Sequence, residues 1–303
     1  MPRHGLALVA VAALLWALVG LFSRLLLDRG LTPLEIAFWR AALAGLAFAS
    51  HALAAGALRL ASAADAASLA AFALVGVTLF YASLVFAIET GGVSLAFVLL
   101  YTAPAFVTLL AWPLLGERLN ATKLALVALA TFGVALVALA GPQAQGVRVS
   151  LPSLAWGLTA GLTYASYYLF GKWVLRRYAP VTVFAVVLPF GALALTPFVT
   201  FTAKSPSAWL LLGGLALLST YLAYLAYYTG LQRVEASRAV MVATIEPVAA
   251  AGLAAALFGE RLGILGVGGG ALILAAALLA SLRRAEREPN RRVQSVPRRD
   301  RSP

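Results

Sequence analysis

The chain has no cysteine, two histidines and few charges. Each shortage excludes something. Without cysteine there are no disulfides and no thiolate chemistry. His4 and His51 both fall near predicted membrane faces, which argues against a histidine-centred active site. No G-x4-GK[ST] loop is present, so the chain does not itself hydrolyse ATP. Neither a metal-ligand cluster nor a Ser/His/Asp set stands out, so no cofactor and no enzymatic reaction are expected. Charged residues make up 11% of the chain, against about 25% in an ordinary globular domain. A soluble protein that poor in charge could not cover its surface.

What is there is apolar. Hydrophobic residues make up 62% of the 303, and mean hydropathy is +0.93. Apolar runs of about 20 residues recur along the chain, which predicts an all-α polytopic membrane protein. The alternation and turn rhythm of a membrane β-barrel are missing. The net charge of +12 could suggest nucleic acid, but eight of the 23 Lys/Arg lie from Arg283 onward. That stretch, "RRAEREPNRRVQSVPRRDRSP", is basic, contains proline and is almost without apolar residues. Residues 285–303 read as a disordered cytoplasmic tail near anionic lipid headgroups. A nucleic-acid arm is the lesser alternative, and no nucleic-acid partner is expected.

Charges, prolines and glycines punctuate ten runs, at about 5–27, 33–55, 66–89, 94–115, 121–140, 152–175, 181–202, 206–231, 236–258 and 263–283. "MPRHG" before an apolar run resembles a signal peptide, but the run continues through "LLWALVGLFSRLLL", so a retained first span is preferred. With the N-terminus in the cytoplasm, the inner side holds 17 Lys/Arg and the outer side Arg24, Arg29, Arg148, Lys204 and Arg261. Without the tail the ratio is still nine to five. Both termini are therefore expected in the cytoplasm.

Two stretches of the chain align without a gap: "VSLAFVLLYTAPAFVTLLAWPLLGERL" (93–119) and "ASRAVMVATIEPVAAAGLAAALFGERL" (236–262). Ser94 pairs with Ser237, Pro104 with Pro247, and Gly116–Leu119 with Gly259–Leu262. A weaker echo joins "LLWALVG" (14–20) to "LAWGLTAG" (154–161). The expected organisation is one five-helix repeat at 1–146 and a second at 147–284. Five is odd, so the second half must enter the membrane upside down. Inverted-topology repeats are a transporter signature, with the substrate site near the midplane between the halves. The two Gly-Glu-Arg-Leu copies read as hairpin corners, where glycine ends a helix and the charges sit in the headgroup zone.

A ten-span chain with Pro-x11-Gly-Glu-Arg-Leu closing spans four and nine resembles the EamA-type carriers of the drug/metabolite transporter superfamily. "FWRAAL" in span two fits the same pattern. The resemblance covers about residues 5–283. It implies a ten-helix secondary transporter of the bacterial inner membrane with a small-molecule substrate. The superfamily's substrates include amino acids, metabolites, drugs and nucleotide-sugars. The chain's size and composition suggest an amino-acid or metabolite exporter, including the YddG-like exporters of aromatic amino acids.

Glu246 is the most informative single residue, near the middle of span nine in "MVATIEPVAAAG". An ionisable group at that depth must face protein or a water-filled cavity. Two readings stand for it: a proton-coupling or substrate-amine site, and a carboxyl capping polar backbone where Pro247 loosens the helix. Its repeat mate is Ala103, so the halves differ chemically. Arg40, about two turns inside span two, must pair or snorkel. Its candidate partners are Glu246 and a substrate carboxylate, and snorkelling to the outer interface is slightly favoured. Glu89 ends span three as an interfacial charge. Tyr221, Tyr224 and Tyr228 share one face of span eight, and Tyr164, Tyr167 and Tyr168 one face of span six. Interfacial belts suit Tyr167, Tyr168, Tyr227 and Tyr228. Trp16, Tyr81, Tyr164 and Tyr221 should sit deeper, where a hydroxyl needs a partner. The candidate substrate-binding set is Glu246, Arg40, Trp16, Tyr81, Tyr101, Tyr164, Tyr221 and Tyr224, with Pro104 and Pro247 as hinges. Asn120 and Asn290 both fall outside the predicted membrane core, so a sodium site would rely on backbone carbonyls and hydroxyls. Proton coupling or facilitated exchange fits better. Gly266-x3-Gly270 and Gly157-x3-Gly161 permit close helix approach, within a monomer or across a homodimer. An exporter of drugs or cationic metabolites is the alternative function. An intramembrane enzyme lacks the clustered acids or histidines it needs, and a channel lacks a polar pore ring.

Overall fold

The computed structural model describes residues 2–140, 148–258 and 263–282. The second Gly-Glu-Arg-Leu, with Glu260 and Arg261, and the tail at 285–303 lie outside the described residues. All regular structure among the described residues is helical. It runs as ten rods. Two are single helices, α1 (Pro2–Leu27) and α2 (Pro33–Ala54). The third is α3 (Ala63–Phe72), continued through a π turn at Ala73–Leu79 into α4 (Phe80–Gly91). The fourth is α5 (Val93–Leu100) with α6 (Ala103–Leu115). Then come α7 (Ala121–Ala140), α8 (Leu151–Val174) and α9 (Pro180–Leu195). The eighth is α10 (Pro206–Ala216), continued through a second π turn at Leu217–Leu222 into α11 (Ala223–Leu231). The ninth is α12 (Ala236–Ala243) with α13 (Ile245–Phe258), and α14 (Ile264–Leu282) is the tenth.

Nine of these rods are long and apolar enough to cross a membrane. The remaining one, α8, is 24 residues long, about 36 Å at the α-helical rise. Besides Tyr164, Tyr167, Tyr168 and Lys172 it carries Ser153, Thr159, Thr163 and Ser166, which lower its hydropathy. The ends follow local chemistry. Thr32 and Ser205 cap α2 and α10 with their hydroxyls, each followed by proline at the first helical position. The seventh rod stops short of the expected 202, because Pro197 has no N–H to continue the helix and α9 gives way to a short 3-10 turn at Thr196–Phe198.

Packing is closest where side chains vanish. A Cβ on Gly269 of α14 would lie 2.5 Å from the Gly133 carbonyl of α7. One on Gly45 of α2 would lie 2.7 Å from Pro189 of α9, and one on Gly157 of α8 would lie 2.4 Å from Leu99 of α5. The Gly157-x3-Gly161 spacing of span six serves contacts within the chain, since a Cβ on Gly161 would lie 2.7 Å from Leu99 O, whereas in span ten the close contact falls on Gly269 and a Cβ on Gly270 would meet only Val248, at 3.6 Å. α4 packs on α8, α11 packs on α1, and α1 also meets α13.

The few charges near the rod ends behave differently from the expectation of free headgroup charges. Gly116, at φ 74°, does end α6. Glu117 then turns inward. Its carboxylate accepts from Ala236 N at 2.6 Å, Ser237 N at 3.2 Å and Ser237 Oγ at 2.5 Å, capping the start of α12. Lys123 bridges Glu235 at 3.2 Å and Glu117 at 3.9 Å. Each hydrogen bond to such a charged group contributes about 1.5–3 kcal/mol. Arg238, counted as an inner-side charge, is buried and donates to the Ala280 and Ser281 carbonyls at the end of α14, both at 3.1 Å. Lys172 does the same for Leu231 and Val234 after α11. Lys204, counted as an outer-side charge, is also withdrawn. Its Nζ sits 2.6 Å from the fully buried Glu35 and 5.1 Å above the Trp39 ring. A cation finds partners for its donors there that lipid cannot offer.

Gly269→Ala should force α7 and α14 apart and destabilise the fold by about 1–3 kcal/mol. Gly268→Ala, whose Cβ would meet nothing within 4 Å, should not. Thermal unfolding in detergent compares the two, and equal midpoints would refute the close-packing role.

Candidate functional site

The fourth and ninth rods are each broken. Proline at 104 and 247 lacks the N–H that would bond the carbonyl four residues back, at Leu100 and Ala243, which are the last residues of α5 and α12. A threonine hydroxyl near each break bonds backward instead: Thr102 to Leu99 O at 2.6 Å, and Thr244 to Met241 O at 2.5 Å. The second break starts a new helix, α13, and Glu246 lies in its first turn. Carboxylates are favoured at that end of a helix.

Beside these breaks lies a cavity of about 120 Å³, many times the ~10–15 Å³ that one water requires. α1, α2, α4, α5, α8, α11 and α13 all contribute to its wall. Glu246 faces it, with the Tyr164 hydroxyl donating to the carboxylate at 3.4 Å and Tyr101 alongside. Arg40 reaches it from α2. Its guanidinium does not run out to the interface. Nε donates to Thr220 Oγ1 at 2.7 Å and Nη2 to Ser219 O at 3.4 Å, and the group stands 5.7 Å from the Tyr81 ring centroid. The snorkelling expectation is therefore corrected. The reason is the π turn at Leu217–Leu222, which closes bonds over i→i+5 and presents polar groups sideways.

Aromatic rings complete the wall. Phe80 stacks on Tyr164 at 5.4 Å, Tyr164 meets Tyr168 edge-on at 5.5 Å, and Tyr168 meets Tyr227 at 5.4 Å. Tyr227 and Tyr224 both lean on Trp16, at 5.1 and 5.9 Å. Each such pair adds about 0.5–1.5 kcal/mol beyond its burial. The buried Trp16 Nε1, Tyr167 Oη and Tyr227 Oη have no hydrogen-bond partner among the described residues.

Seven of the eight residues expected to bind substrate line this one cavity: Trp16, Arg40, Tyr81, Tyr101, Tyr164, Tyr224 and Glu246. Tyr221 does not. Its hydroxyl lies 2.7 Å from His51 Nδ1, and its ring packs on Phe48 at 4.7 Å. The expected i, i+3, i+7 face assumed a regular helix. Tyr221 falls inside the π turn, which holds about one residue more than an α turn and swings it off that face. Tyr167, Tyr168, Tyr227 and Tyr228, expected in interfacial belts, line the cavity and are buried. Depth counted along the sequence could not separate an interior face from a lipid-facing one. Phe80 and Phe97 were also missed, since an apolar ring carries no polar signal. Pro104 and Pro247 both sit at the breaks.

Comparison with known proteins agrees with this architecture. The model of the EamA-like transporter family matches residues 3–139 and 151–282. An uncharacterized transporter of Archaeoglobus fulgidus is 31% identical over 199 residues, which is 66% of this chain and 71% of that protein. The uncharacterized inner membrane transporter YicL of Salmonella typhimurium is 27% identical over 290 residues, covering 92% of this chain and 96% of its own. One crystal structure superposes with a TM-score of 0.79 at 18% identity, covering 92% and 96% of the two chains, which speaks for the fold alone. The helical rods, the interior cavity and the matched family together identify the chain as a member of the EamA-like transporter family, a multi-pass membrane transporter rather than an enzyme.

Proposed function

We propose that this transporter works by alternating access and exports small amphipathic metabolites, amino acids with aromatic ones among them, across the cytoplasmic membrane. The observation that carries the reading is the cavity itself. One guanidinium and one carboxylate stand on its wall, Arg40 from α2 and Glu246 from α13, and the space between is walled by tyrosine, tryptophan and phenylalanine rings. A zwitterion with an apolar or aromatic side chain matches both kinds of surface.

Alternating access is supported by the correspondence between residues 1–146 and 147–284. The π turns fall in rods three and eight and the breaks in rods four and nine. The main contacts exchange in the same way: rod three packs on six as eight packs on one, and rods five and ten pack on each other. The family's two matched stretches fall on either side of the same boundary. We read the halves as inverted repeats, with Pro104 and Pro247 as hinges where half-helices meet.

A second reading is a proton-coupled exporter of drugs or cationic metabolites. Arg40 is already engaged by Thr220 and Ser219, which leaves Glu246 and the rings as the groups that would meet a cation.

Three outcomes test these readings. Proteoliposomes loaded with an aromatic amino acid should show counterflow, and a cationic dye should not compete with it. No counterflow with aromatic or aliphatic amino acids would reject the first reading. Arg40→Lys keeps the charge but loses the planar fork, and should raise the counterflow KM about tenfold. An unchanged KM would remove Arg40 from substrate binding. Glu246→Gln should abolish any acceleration by an imposed pH gradient, and undiminished transport with intact pH dependence would end its functional role. For the topology, a reporter fused to the C-terminus should be active only in the cytoplasm.

A further inference from the structure

Glu117 opens the way to a second assignment. It belongs to the first Gly-Glu-Arg-Leu, but its carboxylate closes on a helix 119 and 120 residues further along the chain. Both oxygens are engaged. One takes the Ala236 amide, and the other the Ser237 amide and hydroxyl. Lys123, from the start of α7, lies between this carboxylate and Glu235. The cluster is nearly closed off, with Glu117 and Lys123 side chains 9% and 10% exposed. It joins the end of α6 to the start of α12.

Where α12 leads gives the contact its meaning. It is eight residues long, about 12 Å, and its far end is the break at Thr244 that precedes Glu246 in the cavity. α12 is thus a short rod, capped at one membrane face by Glu117 and ending at the Thr244 break beside the cavity. It packs on α6 and α14; Arg238 ties it to the last carbonyls of α14, and the Glu117 cap is the polar tie on the α6 side. A path from the cavity to that face between α6 and α12 would have to release it.

We propose that Glu117, Ser237 and Lys123 form a clasp that seals the cavity from the membrane face carrying residues 116–123 and 235–237, and that the clasp opens when the cavity turns to that face. The reading rests on alternating access. The wild-type chain has no cysteine, so a single Leu84→Cys in the cavity wall can be labelled with a membrane-impermeant maleimide, applied from either side of oriented vesicles. Glu117→Gln weakens a charge-assisted cap, so labelling from the clasp face should rise about tenfold and labelling from the opposite face should fall. Glu117→His with Ser237→His should be bridged by added zinc, which spans a longer gap than a disulfide and should stop labelling from the clasp face, and a chelator should restore it. This second variant decides the matter if Glu117→Gln fails to fold. Labelling from the clasp face that ignores both variants, with zinc and without it, would overturn the clasp. Simultaneous free labelling of the parent from both faces would instead overturn alternating access.

Discussion

In hydrocarbon, a backbone amide or carbonyl left without a partner is unfavourable by several kcal/mol, and this fold is arranged around the few places where it leaves the regular helix. Four of the rods are interrupted: two by π turns and two by proline breaks. At each break a threonine hydroxyl donates to a carbonyl just before the freed one, Leu99 O and Met241 O. At the second π turn Arg40 donates to the Ser219 carbonyl from a neighbouring helix. Residues in or next to three of these interruptions line one cavity: Phe80 and Tyr81 after the first π turn, Leu100 and Tyr101 at one break, and Glu246 at the other. The polar chemistry of the site and the repair of the backbone are parts of one solution.

The same economy governs the charges at the rod ends. Arg238, Lys172 and Glu117 each meet the unsatisfied end of another helix, where the dipole has the complementary sign. Glu35 and Lys204 pair inside a cluster of aromatic rings. These charges act as fittings between helices, while Arg118, next to Glu117, stays exposed.

This difference marks what could be read in advance. Rod positions follow from run length and punctuation, since hydrocarbon thickness leaves little freedom. Glu246 and Arg40 stand out because an ionisable group in an apolar run is conspicuous whatever it touches. Tyr227 and Tyr228 do not, because four tyrosines within eight positions of one rod surround much of its circumference and depth alone does not say which side faces protein. Tyr221 was misplaced because a π turn has no composition signature in "LLSTYL". Glu117 was misread because its partner is 120 positions away, and neither hydropathy nor spacing links a corner to a distant helix start. Local chemistry was legible, and long-range pairing of polar groups was not.

One acid and one base in a single cavity also have an electrical meaning. The wall is neutral overall when both are ionised, so a neutral zwitterion entering it leaves the low-dielectric region without net charge. The membrane potential then does no net work on its passage. A monovalent cation in the same space would carry about 2.3 kcal/mol of that work for every 100 mV crossed. Whether the substrate proposed above is a zwitterion or a cation therefore decides whether voltage adds to the energy of its transport.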